Sequence, residues 1–535
     1  MLKSILFILV FCVTCTITNS QSVDILKLYK STFFGGTGGA ACTIRDIVTD
    51  AQGYVYLTGS ARNIPVTQGA YQTTFGGGSD DGFIAKFSPD LSTLIWSTYL
   101  GGSSNDWATS LAVGSDGSVF IAGSASSNFP LTNSNDVGIL SQMLASTTDG
   151  APVFVARLSA DGSQLLYSRV VCGSQFGGTY PRASDLGISH TINAQNEAVV
   201  YCYVRDGNFT RITNNAYQST VSGSSDLCIT KFSASGDVLY CSYYGGNGLD
   251  VTGRISYANG KFFMSGGTRS QNFPLATGKA VGTLYDCFVL VWNDGAVPTP
   301  QGAYIYGSVN DDYSNEIRYN NATGKIIVDG FTAGSDMPYT NVLQNGQNTG
   351  GFVASINSDL SGIDYLTMLG TYLNPFGLRT LSNGDVYVSS WIYPGVASAF
   401  ITNGAFQPNN AGQYEQAING LTPTGQARYG TYLGGSNREH STYLSIIENG
   451  SCSFKLVVGT MTVSANYPVT AGSYMPSWPG NNASAITILS KTNPDSTIIS
   501  PGASCGEYMF QGTSTGVAPC GAVNYFYNFG DGTAV

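Results

Sequence analysis

The sequence predicts an all-β chain folded as a seven-bladed β-propeller of four-stranded antiparallel blades. Three observations carry that expectation: a composition unsuited to helices, a strand-and-turn unit that recurs seven times, and an N-terminal strand that supplies what the last unit lacks. Charged residues make up only 10% of the 535, while Gly numbers 67, Tyr 33 and Phe 26. Helical arrays solvate their outer faces with Glu, Lys and Arg; this chain fills its polar positions with Ser, Thr, Asn and Gly, which favour turns and strands. With 42% hydrophobic and 12% aromatic residues the chain can bury a large core, which excludes a disordered protein.

In chain order, the first element is Lys3 followed by an apolar run from Ile5 to Val13 and small polar residues up to Ser20. The run is too short to span a bilayer, and small residues at Thr18 and Ser20 suit cleavage, so residues 1–20 are expected to be a secretory signal peptide. A lipid anchor on Cys12 or Cys15 fits less well, because Phe11 precedes the first and Cys12 stands three before the second. No later segment is apolar over a membrane-spanning length, so no transmembrane segment is expected.

The propeller is expected over residues 21–495. Each unit reads apolar strand, turn, aromatic strand ending in Gly, long loop, apolar strand, turn, and aromatic strand ending in Gly-Gly. The clearest copy runs from Ala108 to Ser168. The first turn counts the units: its second position is Gly53, Gly117, Glu197, Gly260, Gly324, Gly384 and Gly450, at spacings of 64, 80, 63, 64, 60 and 66. Asn or Asp often precedes, as at Asp116, Asn259 and Asn383, which predicts type I′ hairpins with two positive-φ residues. The seventh unit ends at its third strand, Ala483 to Lys491, whereas the segment Ile25 to Gly36 matches the outermost strand of other units. The N-terminal strand is therefore expected to complete the last blade and leave the ring without an open sheet.

These residues resemble a known family. Ser97 to Gly102, Ser115 to Gly123 and Asn128 to Thr132, with weaker copies at Asn272 to Leu275 and Asn466 to Thr470, are similar to the bacterial β-propeller repeat family abbreviated SBBP. The resemblance covers roughly residues 25–491, implies an exported propeller, and brings no catalytic residues. Tyr525 to Thr533 resembles the Trp-x-Phe-Gly-Asp-Gly-Thr signature of PKD domains, so residues 496–535 are expected to open an immunoglobulin-like domain that stops short.

Net charge is −10, and the 33 acids, 27 of them Asp, are dispersed and mostly sit in turns such as Asp116-Gly117 and Asp161-Gly162. With 23 basic residues and no basic run, nucleic acid is excluded as a partner. Nine cysteines follow the signal segment without a C-x-x-C pair, and only His190 and His440 are available as imidazoles. Zinc ribbons and histidine-rich metal sites are therefore not expected, and no cofactor is. Cysteines inside strands, such as Cys202 and Cys228, read as small buried hydrophobes; Cys505 and Cys520 flank a short loop that a disulfide could close.

Function is expected on the face that carries the long loops, Ala61 to Asp80 and Ser124 to Gly150 among them. The loop aromatics Tyr71, Phe129, Tyr217, Phe273, Phe406 and Tyr474 recur from blade to blade, which argues for packing before sugar stacking. Asp106, Asp250 and Asp312 occupy equivalent positions before an innermost strand, so capping is their default role, with Asp80, Asp81 and Asp311 nearby. Glycoside hydrolysis would need two of these carboxylates at a fixed separation. His440, in Arg438-Glu439-His440, breaks the pattern. Two readings stand: an exported non-enzymatic scaffold or adhesion protein, a monomeric propeller binding a glycan, matrix polymer or protein, and a propeller glycoside hydrolase or polysaccharide lyase.

Overall fold

The computed structural model describes residues 24–36, 41–146, 151–174, 187–205, 211–343, 349–371, 373–393, 400–448, 453–480 and 482–491. The expected signal peptide, the PKD-like segment and Cys505 with Cys520 lie outside these residues. The described chain is a seven-bladed propeller of antiparallel four-stranded blades. Blade 1 comprises Cys42–Thr49, Val55–Ala61, Asp81–Phe87 and Leu94–Leu100, ordered from the channel outward. The innermost strands of blades 2 to 7 are Trp107–Val113, Ser189–Ile192, Asp250–Ala258, Asp312–Asn320, Leu373–Thr380 and Glu439–Glu448. Leu26–Phe34 pairs antiparallel with Ala483–Lys491 and becomes the outer strand of blade 7, as the sequence predicts.

Seven apolar clusters form the core, one between each pair of neighbouring blades; one of them joins Phe34 and Ile486 of blade 7 to Leu57 and Phe83 of blade 1. Middle strands are therefore covered on both faces, and Val55–Ala61 is buried along its whole length. This is why they read as continuous apolar runs and not as alternations. The glycine near the end of the second strand also has a cause. Cβ atoms at Gly123 would meet the backbone carbonyl of Trp107, where the innermost strand bulges between Ala108 and Ser110.

Three local expectations are corrected. Type I′ geometry, with both central residues at positive φ, occurs at Asn259-Gly260; at Gly53, Gly117, Gly324 and Gly384 the preceding residue keeps negative φ. There the glycine N–H closes a one-turn loop, as in Gly53 to Asp50 and Gly117 to Gly114. In the third unit Asn196, at φ 58°, takes the glycine's place and donates to Asn193, so Glu197 is one residue past the equivalent position. The long loops do not stand on the face they leave. They run down the outer strands: Ala276–Gly278 pairs parallel with Thr299–Tyr306, Asn341–Val342 with Ile363–Gly370, and Gln218 and Gln407 bridge to Tyr243 and Tyr432. Backbone groups of an exposed edge strand need partners, and each loop supplies them to its own blade. One loop also carries a helix the composition did not suggest, Ser134–Ser146. No described helix is long and apolar enough to cross a membrane.

Candidate functional site

The face bearing the connections between blades is organised by pairs of buried acids. Asp106, Asp250 and Asp312 are all fully buried at the first or preceding residue of an innermost strand. Each accepts hydrogen bonds that fold the loops around it: Asp106 from Gly102 N (2.7 Å), Ser126 N (2.5 Å) and Ser126 Oγ (2.9 Å), and Asp250 from Gly246 N (2.9 Å), Thr268 Oγ1 (2.5 Å) and Ser270 Oγ (2.9 Å). Asp312 accepts from Ser308 N (2.5 Å) in the same way. These hydrogen bonds cap the loops, the default role expected of the three residues, and leave the carboxylates buried. In the seventh unit the equivalent residue is Glu439, not His440: Glu439 pairs with Thr462 in the register that sets Asp250 against Thr268 and Asp312 against Thr332.

A second acid, at the start of the third strand in blades 1, 3, 4 and 6, was not singled out as its partner. Asp81, Asp226, Asp286 and Glu415 are buried and accept backbone N–H groups from the glycine-rich end of the long loop; Ser222 N, for example, donates to Asp226 (2.8 Å). The two acids flank the first glycine of the strand-end pair. A Cβ at Gly245 would stand 2.6 Å from Asp226 Oδ1 and 2.6 Å from Asp250 Oδ2, which is why that position tolerates no side chain. Burial first, then the neighbouring acid among the smaller causes, pushes Asp81 and Glu415 up to about 7; burial raises Asp106, Asp250 and Asp312 to about 6. Between blades 4 and 5, Lys279 Nζ pairs with Asp286 and with the Ser308 carbonyl.

His440 belongs to a different arrangement. Its ring meets Trp391 edge-on at 4.4 Å, and Trp391 in turn stacks on Tyr414 (5.7 Å) and leans on Tyr393 (4.5 Å). The Arg438 guanidinium lies 5.1 Å from the Tyr414 ring. These aromatic residues are half-buried and Arg438 is exposed. They come from blades 6 and 7: Tyr414 immediately precedes buried Glu415, and Arg438 and His440 bracket buried Glu439. The acids anchor the backbone below while the aromatics spread above. By contrast the loop aromatics weighed in the sequence serve packing. Phe129 and Phe273 are buried, Tyr217 stacks on Tyr244 at 5.6 Å, and Tyr71, Phe406 and Tyr474 join interblade clusters.

Deeper in the channel, innermost strands contribute a charged cluster that does not repeat. Glu316 faces Arg318 (2.9 Å), Arg254 (3.6 Å) and Arg379 (3.6 Å), and Arg254 also donates to the Thr109 carbonyl (3.2 Å). Asp46 accepts from Leu111 N at 2.9 Å; burial raises its pKa against the opposing pull of Arg254. His190 bonds Ser110 Oγ through Nδ1 (2.8 Å), and burial, then Arg254, pushes it down to about 3, so the ring stays neutral. Apart from His190, named only as one of two histidines, none of these residues was marked by sequence, because isolated charges on strands carry no motif. Among the described residues, Cys172, Cys202 and Cys228 form the one group of three or more His, Cys, Asp or Glu side chains spaced to share a metal ion.

No curated protein sequence matches the chain. Among solved structures, a protein of unknown function from Dyadobacter fermentans is 13% identical, with 88% of this chain and 98% of that one covered at a TM-score of 0.37. The phage phi92 endosialidase is 10% identical over 95% of this chain and 76% of its own, at a TM-score of 0.36. A quinohemoprotein alcohol dehydrogenase from Pseudomonas putida HK5 is 9% identical over 90% and 78%, at 0.37. Residues 95–130, from the outer strand of blade 1 to the Phe-Pro segment of blade 2, match the SBBP beta-propeller repeat, in agreement with the seven repeating blades.

Proposed function

We propose that this chain is an exported, non-enzymatic propeller that binds a glycan through the aromatic patch where blades 6 and 7 meet. The observation that supports this reading is the half-buried cluster of Trp391, Tyr393, Tyr414 and His440 beside exposed Arg438. Flat rings with a polar edge suit the apolar faces of sugar rings, and rigid aromatics lose little conformational freedom on binding. Export through a signal peptide at residues 1–20, and an immunoglobulin-like segment beginning at residue 496, belong to the same proposal. The second reading, a glycoside hydrolase or lyase, draws on Glu415 and Glu439, the two carboxylates beneath the patch. Their hydrogen bonds favour an anchoring role: Glu415 accepts from Ala411 N (2.7 Å) and Gly412 N (3.1 Å), and Glu439 from Thr462 Oγ1 (2.8 Å).

The test is a glycan and matrix-protein array probed with the full chain, with release of reducing ends or unsaturated products followed on every polymer that binds. Binding that Trp391→Ala removes, without turnover, is the expected result. Turnover abolished by Glu415→Gln would replace the proposal with the hydrolase or lyase reading, and binding untouched by Trp391→Ala would move the site elsewhere.

A further inference from the structure

We infer that Cys172, Cys202 and Cys228 form a buried thiolate site for a thiophilic d10 cation, zinc(II) being the probe, which fastens blade 2 to blade 3. The Sγ atoms of Cys172, Cys202 and Cys228 all lie within 4.8 Å of one another. Four sulfurs about 2.3 Å from a tetrahedral zinc stand about 3.8 Å apart, so the spacing fits with small rotations. Cys172 comes from the outer strand of blade 2, while Cys202 and Cys228 are direct register partners on the second and third strands of blade 3. Cys241, on the outer strand of blade 3, has the Thr230 hydroxyl at 3.2 Å and is buried in the same apolar cluster, outside the trio, as the candidate fourth ligand. All four are buried free thiols.

A small-hydrophobe role accounts for one buried thiol at a time, as at Cys42 and Cys287 in blades 1 and 4, but not for three from three strands meeting at one point. A disulfide would use only two of them, such as Cys172 and Cys202 at 3.0 Å, and would leave a third sulfur beside it. On metal binding each thiol loses its proton to solvent and each sulfur forms one bond to the ion, so no electrons are exchanged. Such a site would be loaded as the chain folds, because the ligands are enclosed by apolar groups such as Val200 and Tyr243.

The experiment measures metal by plasma mass spectrometry in full-length protein purified without chelator, and counts thiols in denaturant. The expected result is one zinc per chain, held against chelator until unfolding, with Cys172, Cys202 and Cys228 all reactive by peptide mapping once denatured with chelator present. Refolding with cobalt(II) is expected to give thiolate charge-transfer absorption. Cys202→Ser should abolish both signals and Cys287→Ser neither. Metal-free protein in which Cys172, Cys202 and Cys228 all react on denaturation overturns the proposal in favour of packing. Metal-free protein in which two of these three react only after reductant overturns it in favour of a disulfide. Should Cys202→Ser fail to fold, the wild-type metal and thiol counts decide alone.

Discussion

The junctions between blades 4 and 5 and between blades 6 and 7 occupy equivalent places in the ring and use their residues differently. Each has an acid pair astride a glycine, Asp286 and Asp312 around Gly307, and Glu415 and Glu439 around Gly434. At the first junction Tyr285, just before its acid, is only 1% exposed, covered by Arg269 at 4.1 Å and set against Tyr313 at 5.0 Å. At the second, Tyr414 holds the same place but stays half-buried, and the neighbouring rings extend the surface. A repeat thus supplies the same backbone anchor twice, and what stands on the anchor decides whether the place is sealed or open.

Truncating the two tyrosines is the strongest way to break this comparison. Tyr285→Ala should destabilise the propeller by about 3 kcal/mol, read by denaturant unfolding, since it empties a filled site. Tyr414→Ala should cost less than about 1 kcal/mol and instead weaken glycan binding roughly tenfold by titration. Next, a methyl group between the acids tests how firmly each pair is held. Gly307→Ala should cost about 2 kcal/mol, because a Cβ would stand 2.7 Å from Asp312 Oδ2 and Lys279 pins Asp286. At Gly434 a Cβ would meet Glu415 Oε1 more closely still, and Ala411 N and Gly412 N hold that carboxylate in place, so the same change should cost about 3 kcal/mol. Equal losses would mean that the two junctions are mechanically alike.

Removing the ammonium sharpens the comparison further. Lys279→Met should destabilise by about 1 to 2 kcal/mol at neutral pH by stripping a charged partner from Asp286. The pH dependence is a smaller effect with a definite sign. Folding raises the Glu415 carboxyl to about 7 from an unfolded value near 4, so its favourable contribution is complete below about pH 4 and lost as pH rises through 7. Asp81 behaves likewise, and Asp106, Asp250 and Asp312 lose theirs near pH 6. Melting temperature followed from pH 5 to 8 should therefore fall through this group of acids, and Glu415→Gln should flatten the upper part of the fall. A slope unchanged in the variant would show that Glu415 ionises elsewhere.

Blade number, the glycine turn positions and the closing strand were legible in the sequence, because each depends on residues near one another or on a repeated pattern, whereas the third unit's turn, at Asn196, was read one residue late. Leu26–Phe34 shows its role by likeness to other outer strands, and Gly117 by its place between two apolar runs. The acids at Asp106, Asp250 and Asp312 were legible for the same reason, but their partners at Asp81, Asp226 and Asp286 were not joined to them, because the pairing crosses from one strand of a blade to the start of the next blade. His440 was visible as an oddity, yet its neighbour Trp391 gave no sign, being one aromatic among many strand aromatics. Closure of the ring is what brings Asp46, Arg254 and Glu316 into one electrostatic group, and Cys172 against Cys202. Periodicity along the chain determines the scaffold. Contacts between blades, set by closure and packing, decide which residues share a site.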